Sequence, residues 1–224
     1  MAIKKKPVQN RTCKTGLPLL LALVLLIVLP PWSRAPGQTS PTVKKIYSGN
    51  RIKLSDGRRI VYAGLSVPDK KSKPFFALCR RANRELVYKK AVIVRPDMSL
   101  KEESDSRIPA YVFVGDDFVN AELIRRGYAL AIPNQHGNPY SELFVSLQQQ
   151  AREQRRGLWA YEGSGSEPYY IGSKSRKDFH RPRCFHTKSI SFDDRVIFRT
   201  RDEALQKGFV QDWRCCPLFD VPGK

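Results

Sequence analysis

Asp56-Gly-Arg-Arg-Ile-Val-Tyr-Ala-Gly-Leu-Ser-Val-Pro-Asp69 is the stretch on which the reading of the fold turns. Arg58 to Leu65 is an extended, apolar-biased run, and Asn50 to Leu54 just before it is another. Ser55-Asp56-Gly57 stands between them, and a short Asp-Gly loop joining two such runs signals a β-hairpin. A further strand falls near Val43 to Tyr47. Lys73 to Lys90 carries apolar residues at Phe75, Leu78 or Cys79, Ala82 and Leu86, the stripe of an amphipathic helix. Ala91 to Arg95 and Ile108 to Val114 read as strands again. Val119 to Arg126 is a short helix stopped by Gly127. Asn138 and Pro139 offer an N-cap and a first helical position for a last helix through Arg156, with Leu143, Leu147 and Ala151 inward. The order β-β-β-α-β-β-α-α predicts an α+β domain over residues 40–161: a five-stranded, OB-like β-barrel with three helices.

The same residues resemble the staphylococcal nuclease, or thermonuclease-like, family. The resemblance rests on Tyr47-Ser-Gly-Asn-Arg-Ile-Lys-Leu54, on the stretch quoted above, on Arg107-Ile-Pro-Ala-Tyr-Val-Phe113, and on Val119-Asn-Ala-Glu-Leu-Ile-Arg-Arg-Gly-Tyr128. The closing Arg155-Arg-Gly-Leu-Trp-Ala160 fits too. It implies a barrel on which nucleic acid is bound, and a site that cuts phosphodiesters with one Ca²⁺ held by aspartates, a glutamate that orients water and two arginines that clamp the phosphate. A hard cation with oxygen ligands and fixed positive charge suit a transition state that gathers negative charge. Carried over position by position, the first aspartate falls on Asn50, the second on Ser66 and the first arginine on Val61. The glutamate falls on Asp69, one methylene shorter, and the second arginine is kept as Arg107.

Losing one donor to a developing oxyanion costs roughly a hundred- to a thousand-fold in rate. Neutral oxygens in place of two carboxylates weaken Ca²⁺ binding, because affinity follows ligand charge. Asp69 and Arg107 are therefore the candidate catalytic residues of a vestigial site, and Ca²⁺ there is doubtful. Arg59 lies two residues before Val61 and so shares its face of the strand. Arg107 and Arg59 are the candidate nucleic-acid contacts, for DNA or RNA alike. The expected function is nucleic-acid binding by a largely degenerate nuclease scaffold. A weak metal-dependent phosphodiesterase, and a scaffold that binds protein or an anionic wall polymer, are the alternatives.

Charge agrees with a polyanionic partner. The 224 residues carry 40 Lys and Arg against 21 Asp and Glu, a net charge of +19. Residues 35–162 hold 22 basic and 13 acidic side chains, and residues 163–224 hold 12 and 8. Hydrophobic residues at 41% exclude wholesale disorder. Only one stretch is long and apolar enough to concern a membrane, which excludes a polytopic membrane protein. That stretch is Gly16 to Trp32, uncharged, preceded by Lys4, Lys5, Lys6, Arg11 and Lys14 and followed by Arg34. Its seventeen positions span about 25 Å as a helix, the short limit for a bilayer. Residues 1–34 thus read as an export signal or, since Pro30, Pro31 and Trp32 crowd any cleavage site, an uncleaved transmembrane signal-anchor. The rest of the chain is then expected outside the cytoplasm, membrane-anchored, or secreted or periplasmic if the segment is removed.

Glu162-Gly-Ser-Gly-Ser-Glu-Pro168 is a flexible break, and a small α+β module follows over 168–220. Its core is too small to hold alone, and a metal compensates for that in small domains. His180 and Cys184 stand four apart, Asp212 and Cys215 three apart. All are acceptable Zn²⁺ ligands, and four closed ligands make a structural site. The stretch resembles the small metal-binding domain first known from the Ada DNA-repair protein, through Phe179-His-Arg-Pro-Arg-Cys184 and Ala204-Leu-Gln-Lys-Gly208. The resemblance implies His180, Cys184 and Cys215 as ligands, with Asp212, or Cys216 in its place, as the fourth. A disulfide from Cys184 to Cys215 or Cys216, and a metal-free decayed cap, remain open alternatives. Cys79, on the inner stripe of a helix, reads as a small buried hydrophobe.

Overall fold

The computed structural model describes residues 40–100, 106–132, 138–163, 167–215 and 218–220. Alternation of Ile52 and Leu54 with Arg51 and Lys53 puts one apolar and one cationic face on the same short strand. Val43–Ser48 (β1), Arg51–Leu54 (β2) and Arg59–Tyr62 (β3) form an antiparallel meander, with Ile46 opposite Ile52 and Ile52 opposite Ile60 on the buried side. The expected run to Leu65 breaks after Tyr62. Gly64 adopts φ +76°, a left-handed conformation that ends the strand, and Leu65–Ser66 (β4) pairs elsewhere.

Phe75–Val87 (α1) follows, with Phe75, Cys79, Ala82, Asn83 and Val87 buried. Asn83 ties it to the sheet by accepting from the Tyr62 hydroxyl at 2.9 Å and donating to the Ser48 carbonyl at 2.9 Å. Ile93–Pro96 (β5) and Arg107–Val114 (β6) are antiparallel, and β6 lies parallel to β3. Asp117–Phe118 (β7) folds back on β6, Val119–Arg125 (α2) packs behind it, and Leu130–Ala131 (β8) pairs with β4. The strand path is β1-β2-β3-β6-β5. Among the described residues the strand path does not close into the expected barrel. Its two edges meet beside β1 at the bridge Thr42 to Ala91, where the Val43 N–H donates to the Lys90 carbonyl at 3.0 Å and the Val92 N–H to the Pro41 carbonyl at 2.9 Å, before β5 turns to pair with β6 alone.

Ser141–Glu153 (α3) begins later than the Asn138 N-cap reading. Asn138 instead accepts from the Tyr140 N–H at 2.9 Å and holds the turn before the helix. Of the three residues expected inward, Ala151 is buried and Leu147 partly buried, while Leu143 is 45% exposed and its neighbour Phe144 is buried instead. The larger ring of Phe144 takes the core position because Phe118 and Tyr140 pack against it. A 3-10 turn, Gly157–Tyr161, follows. Gly127 (φ +74°) lets it approach: a side chain there would collide with the Arg156 carbonyl, and the Leu158 N–H donates to the Gly127 carbonyl at 2.9 Å.

The last part builds a second sheet from Tyr170–Ser173 (β9), Asp178–His180 (β10), Arg195–Phe198 (β11) and Val210–Gln211 (β12), in the order β11-β9-β10-β12, with Arg201–Gln206 (α4) beside it. It is not closed off from the first part. One core unites Phe75, Cys79, Leu130, Ala151, Leu158 and Trp159 with Tyr170, Phe179, Phe198, Trp213 and Phe219. Phe219 meets Trp159 edge-on at 5.2 Å, Phe75 at 5.9 Å and stacks on Trp213 at 5.9 Å. Cys79 is fully buried there, and burial pushes its thiol well above the usual range. The N-terminal anchor segment lies outside the described residues; among the described residues no helix is long and apolar enough to cross a membrane.

Phe219→Ala is expected to destabilise the protein by about 3–5 kcal/mol, as other buried aromatic truncations do. Urea unfolding followed by tryptophan fluorescence should then show one transition moved to lower urea. Two separate transitions would mean that the shared core does not couple the two parts.

Candidate nucleic-acid interface and a histidine–cysteine cluster

Three strands carry an arginine at the same rim of the first sheet. Arg59 on β3 is the direct partner of Arg107 on β6, and Arg51 on β2 is the direct partner of Val61 on β3. Strand alternation therefore puts Arg51, Arg59 and Val61 on the face away from Ile52 and Ile60. Arg51, Arg59 and Arg107 line a cavity of about 610 Å³, closed on its other side by Leu65–Lys70. Arg51 is the residue the sequence reading missed. It stands across the ladder from the valine that replaces the family's first arginine, and its Nε is enclosed without a hydrogen-bond partner among the described residues. The available signal was register: a hairpin through Ser55-Asp56-Gly57 sets Arg51 opposite Val61.

The positions expected to have lost metal ligands are occupied by other bonds. Asn50 is 8% exposed, and its Oδ1 accepts from the Ser48 hydroxyl at 2.9 Å. Ser66 Oγ accepts from the Trp213 indole N–H at 2.8 Å. Asp69 lines the cavity, but its Oδ1 accepts from the Lys71 N–H (2.9 Å), the Ser72 N–H (3.0 Å) and the Ser72 hydroxyl (2.8 Å). That is the geometry of a turn held by an aspartate, and it fixes the lead-in to α1. The Ser72 hydroxyl also lies 2.7 Å from the Trp213 carbonyl, so Trp213 is held at both ends by the loop bordering the cavity. Two neutral oxygens and one committed carboxylate do not suit Ca²⁺, which takes six to eight oxygens with charge supplied by carboxylates.

The second cluster lies in the last sheet. His180, at the end of β10, is fully buried, and the Arg181–Arg183 turn returns the chain so that Cys184 Sγ lies 3.6 Å from His180 Nδ1. The strand β12 runs parallel to β10 and delivers the turn 212–215, with Cys215 Sγ 3.5 Å from the same Nδ1. Bond lengths of 2.3 Å to sulfur and 2.0–2.1 Å to nitrogen give a tetrahedral S···N edge of about 3.6 Å, so these three atoms are spaced as Zn²⁺ ligands are. Asp178 Oδ1 lies 3.3 Å from His180 Nε2, the ring nitrogen opposite the one that faces the sulfurs. Burial raises the Asp178 carboxyl, but hydrogen bonds from His180 and Arg176 outweigh it and hold it below the usual range.

His180, Cys184 and Cys215 form one group, while Asp212 groups with Asp178 and His180 instead. Asp212 Oδ2 is 3.5 Å from His180 Nδ1, but both its oxygens take hydrogen bonds from Arg214. Burial works against the charge of Asp212, and the Arg214 bonds override it to keep the carboxyl low. Cys184 and Cys215 are free thiols. Burial, and then the facing Cys184, push the Cys215 thiol up. Cys216 lies outside the described residues.

The fold and the site together define an α+β domain with an arginine-lined cavity at one rim of its sheet. Residues 59–161 match the family model described as Staphylococcal nuclease homologue, which makes this part of the chain similar to that family. No curated protein matches the chain.

Asp69→Ala is expected to cost about 1 kcal/mol of stability, the usual loss when a side chain that caps backbone N–H groups is removed. Denaturant titration beside oligonucleotide binding checks this: stability should fall while binding persists. Lost binding at unchanged stability would make Asp69 a functional group after all.

Proposed function

We propose that the Arg51–Arg59–Arg107 rim binds the phosphate backbone of nucleic acid, and that the domain has lost most of its power to hydrolyse it. The observation that carries this reading is the set of three arginines on adjacent strands around one cavity. Phosphate recognition needs fixed cations and polar donors, and these are present. Hydrolysis by the family's route needs charged oxygen ligands for a hard cation and a carboxylate turned to the water. Asn50 and Ser66 bring no charge, and Asp69 is a single carboxylate whose Oδ1 already holds the turn before α1. Binding without cutting follows from that division.

The expected outcome is salt-sensitive retention of oligonucleotides, with no Ca²⁺-dependent cleavage. Arg51→Ala and Arg107→Ala should each weaken binding and flatten the log–log salt dependence by about 0.7 for a single-stranded phosphate contact. Filter binding across a salt series, with a parallel nuclease assay, measures both. Salt-insensitive binding, or cleavage lost in Arg107→Ala, would overturn the reading.

We further propose that His180, Cys184 and Cys215 hold a structural Zn²⁺, with Asp212 or Cys216 completing the set. The support is the pair of sulfur-to-Nδ1 spacings and the carboxylate behind the imidazole. Such an ion fastens the 212–215 turn to β10 and adds to what the shared core already supplies. One zinc per chain is expected by elemental analysis, and Cys184→Ser should lose it and melt at a lower temperature. Thiols that resist titration until reductant is added would show the disulfide instead.

Export belongs to the same proposal. Lys4, Lys5 and Lys6 before the uncharged Gly16–Trp32 run support an anchor or signal that sets the binding domain outside the cytoplasm.

A further inference from the structure

Beside the arginine rim, a second cleft of about 660 Å³ opens between the loop that leads into α1 and the 212–215 turn. Lys71, Lys73, Arg181, His186 and Arg214 line it, and Asp220 is the one carboxylate of the described lining. Two of these cations are already balanced. Arg181 Nη1 lies 3.2 Å from Glu167 and its Nη2 3.5 Å from Asp220, while Arg214 is bound to Asp212. Among the described residues Lys71 and Lys73 meet no carboxylate, and both are exposed. They carry the excess charge of the cleft.

The two cavities are consecutive along the chain. Lys70 lines the first and Lys71 the second, and Trp213 lies across the junction with its indole on Ser66 and its carbonyl on Ser72. Beside His186, which lines the second cleft, Phe185 is 74% exposed, edge-on to the imidazole at 6.0 Å and with Lys188 Nζ over one face of its ring at 5.3 Å. An exposed aromatic ring with a second face open, beside uncompensated lysines, is what an unpaired base and its phosphate require. A duplex keeps its bases stacked inside and has no use for that ring.

We propose that this cleft is a second phosphate-and-base site, and that together with the arginine rim it forms one path for a single-stranded nucleic acid, with Lys71 and Lys73 on the phosphates and Phe185 under a base. The inference rests on the nucleic-acid reading of the first cavity. Both parts of the chain then contribute to one binding surface.

The test uses the full chain and two labelled probes: a dinucleotide, which one cavity holds, and an oligonucleotide of about eight nucleotides, within the site sizes of OB-type folds. Phe185→Ala and the double variant Lys71→Ala/Lys73→Ala are compared with the parent, with unchanged melting temperatures as the control on folding. The longer strand should bind about tenfold more weakly to each variant, while dinucleotide binding stays the same. Unchanged affinity for the longer strand in both variants overturns the second site and leaves the first untouched. A duplex of equal length that binds as tightly as the single strand overturns the path. If the parent binds neither probe, the arginine-rim reading falls, and this inference with it.

Discussion

Phe219 is the residue on which the rest of the structure closes. Its ring meets Phe75 at the start of α1, Trp159 after α3 and Trp213 in the last turn, so one side chain joins three distant pieces of chain. Each aromatic buries on the order of 150–250 Å², a large share of what a core this small has to offer. Neither part can keep that surface dry alone. Leu130, Leu158 and Trp159 from the nuclease-like domain are fully or almost fully covered only because Tyr170, Phe179 and Phe198 pack with them. The tail is thereby held rigidly against the loop that borders the arginine cavity, which a linker-tethered module would not be.

That rigidity explains the character of the candidate interface. The family's chemistry requires oxygens that are free to turn toward a cation. Here Asn50 Oδ1 is engaged by Ser48, Ser66 Oγ by Trp213 and Asp69 Oδ1 by Ser72. Positive charge at the rim comes from the neighbouring strand. Arg51 stands across the ladder from Val61, where antiparallel pairing places opposing side chains about 4.5–5.5 Å apart at their roots. On the proposed reading, the rim supplies the attraction for phosphate, while the oxygens at positions 50, 66 and 69 serve the framework.

Much of this was legible from the sequence, and the limits have physical causes. Hairpin chemistry at Ser55-Asp56-Gly57 and the alternation of Ile52, Leu54 and Ile60 located the first strands, because local geometry writes itself into local sequence. That His180, Cys184 and Cys215 come together was readable for a similar reason, since the spacing is short-range at each end of the group. Closure of the sheet was not, because it depends on how far β5 runs beside β1. The face of α3 was legible at Leu147 and Ala151 but not at its start, where Leu143 and Phe144 offer equal claims to the core until Phe118 and Tyr140 choose between them. Arg51 was hidden because its meaning lies across a ladder. The turn that Asp69 Oδ1 holds with Lys71 and Ser72 was not foreseen, and the further link from Ser72 to Trp213 spans 141 positions that no local pattern records.

The bond between Ser66 and Trp213 joins residues 147 positions apart, and it makes position 66 answer to the far end of the chain. Trp213 is 8% exposed, so its indole N–H has little water to fall back on. A side chain at position 66 turned away from the indole would strand that N–H, and with it the turn that carries Cys215. The choice of residue at the cavity wall is thereby set by a tryptophan from another sheet, not by the cavity alone.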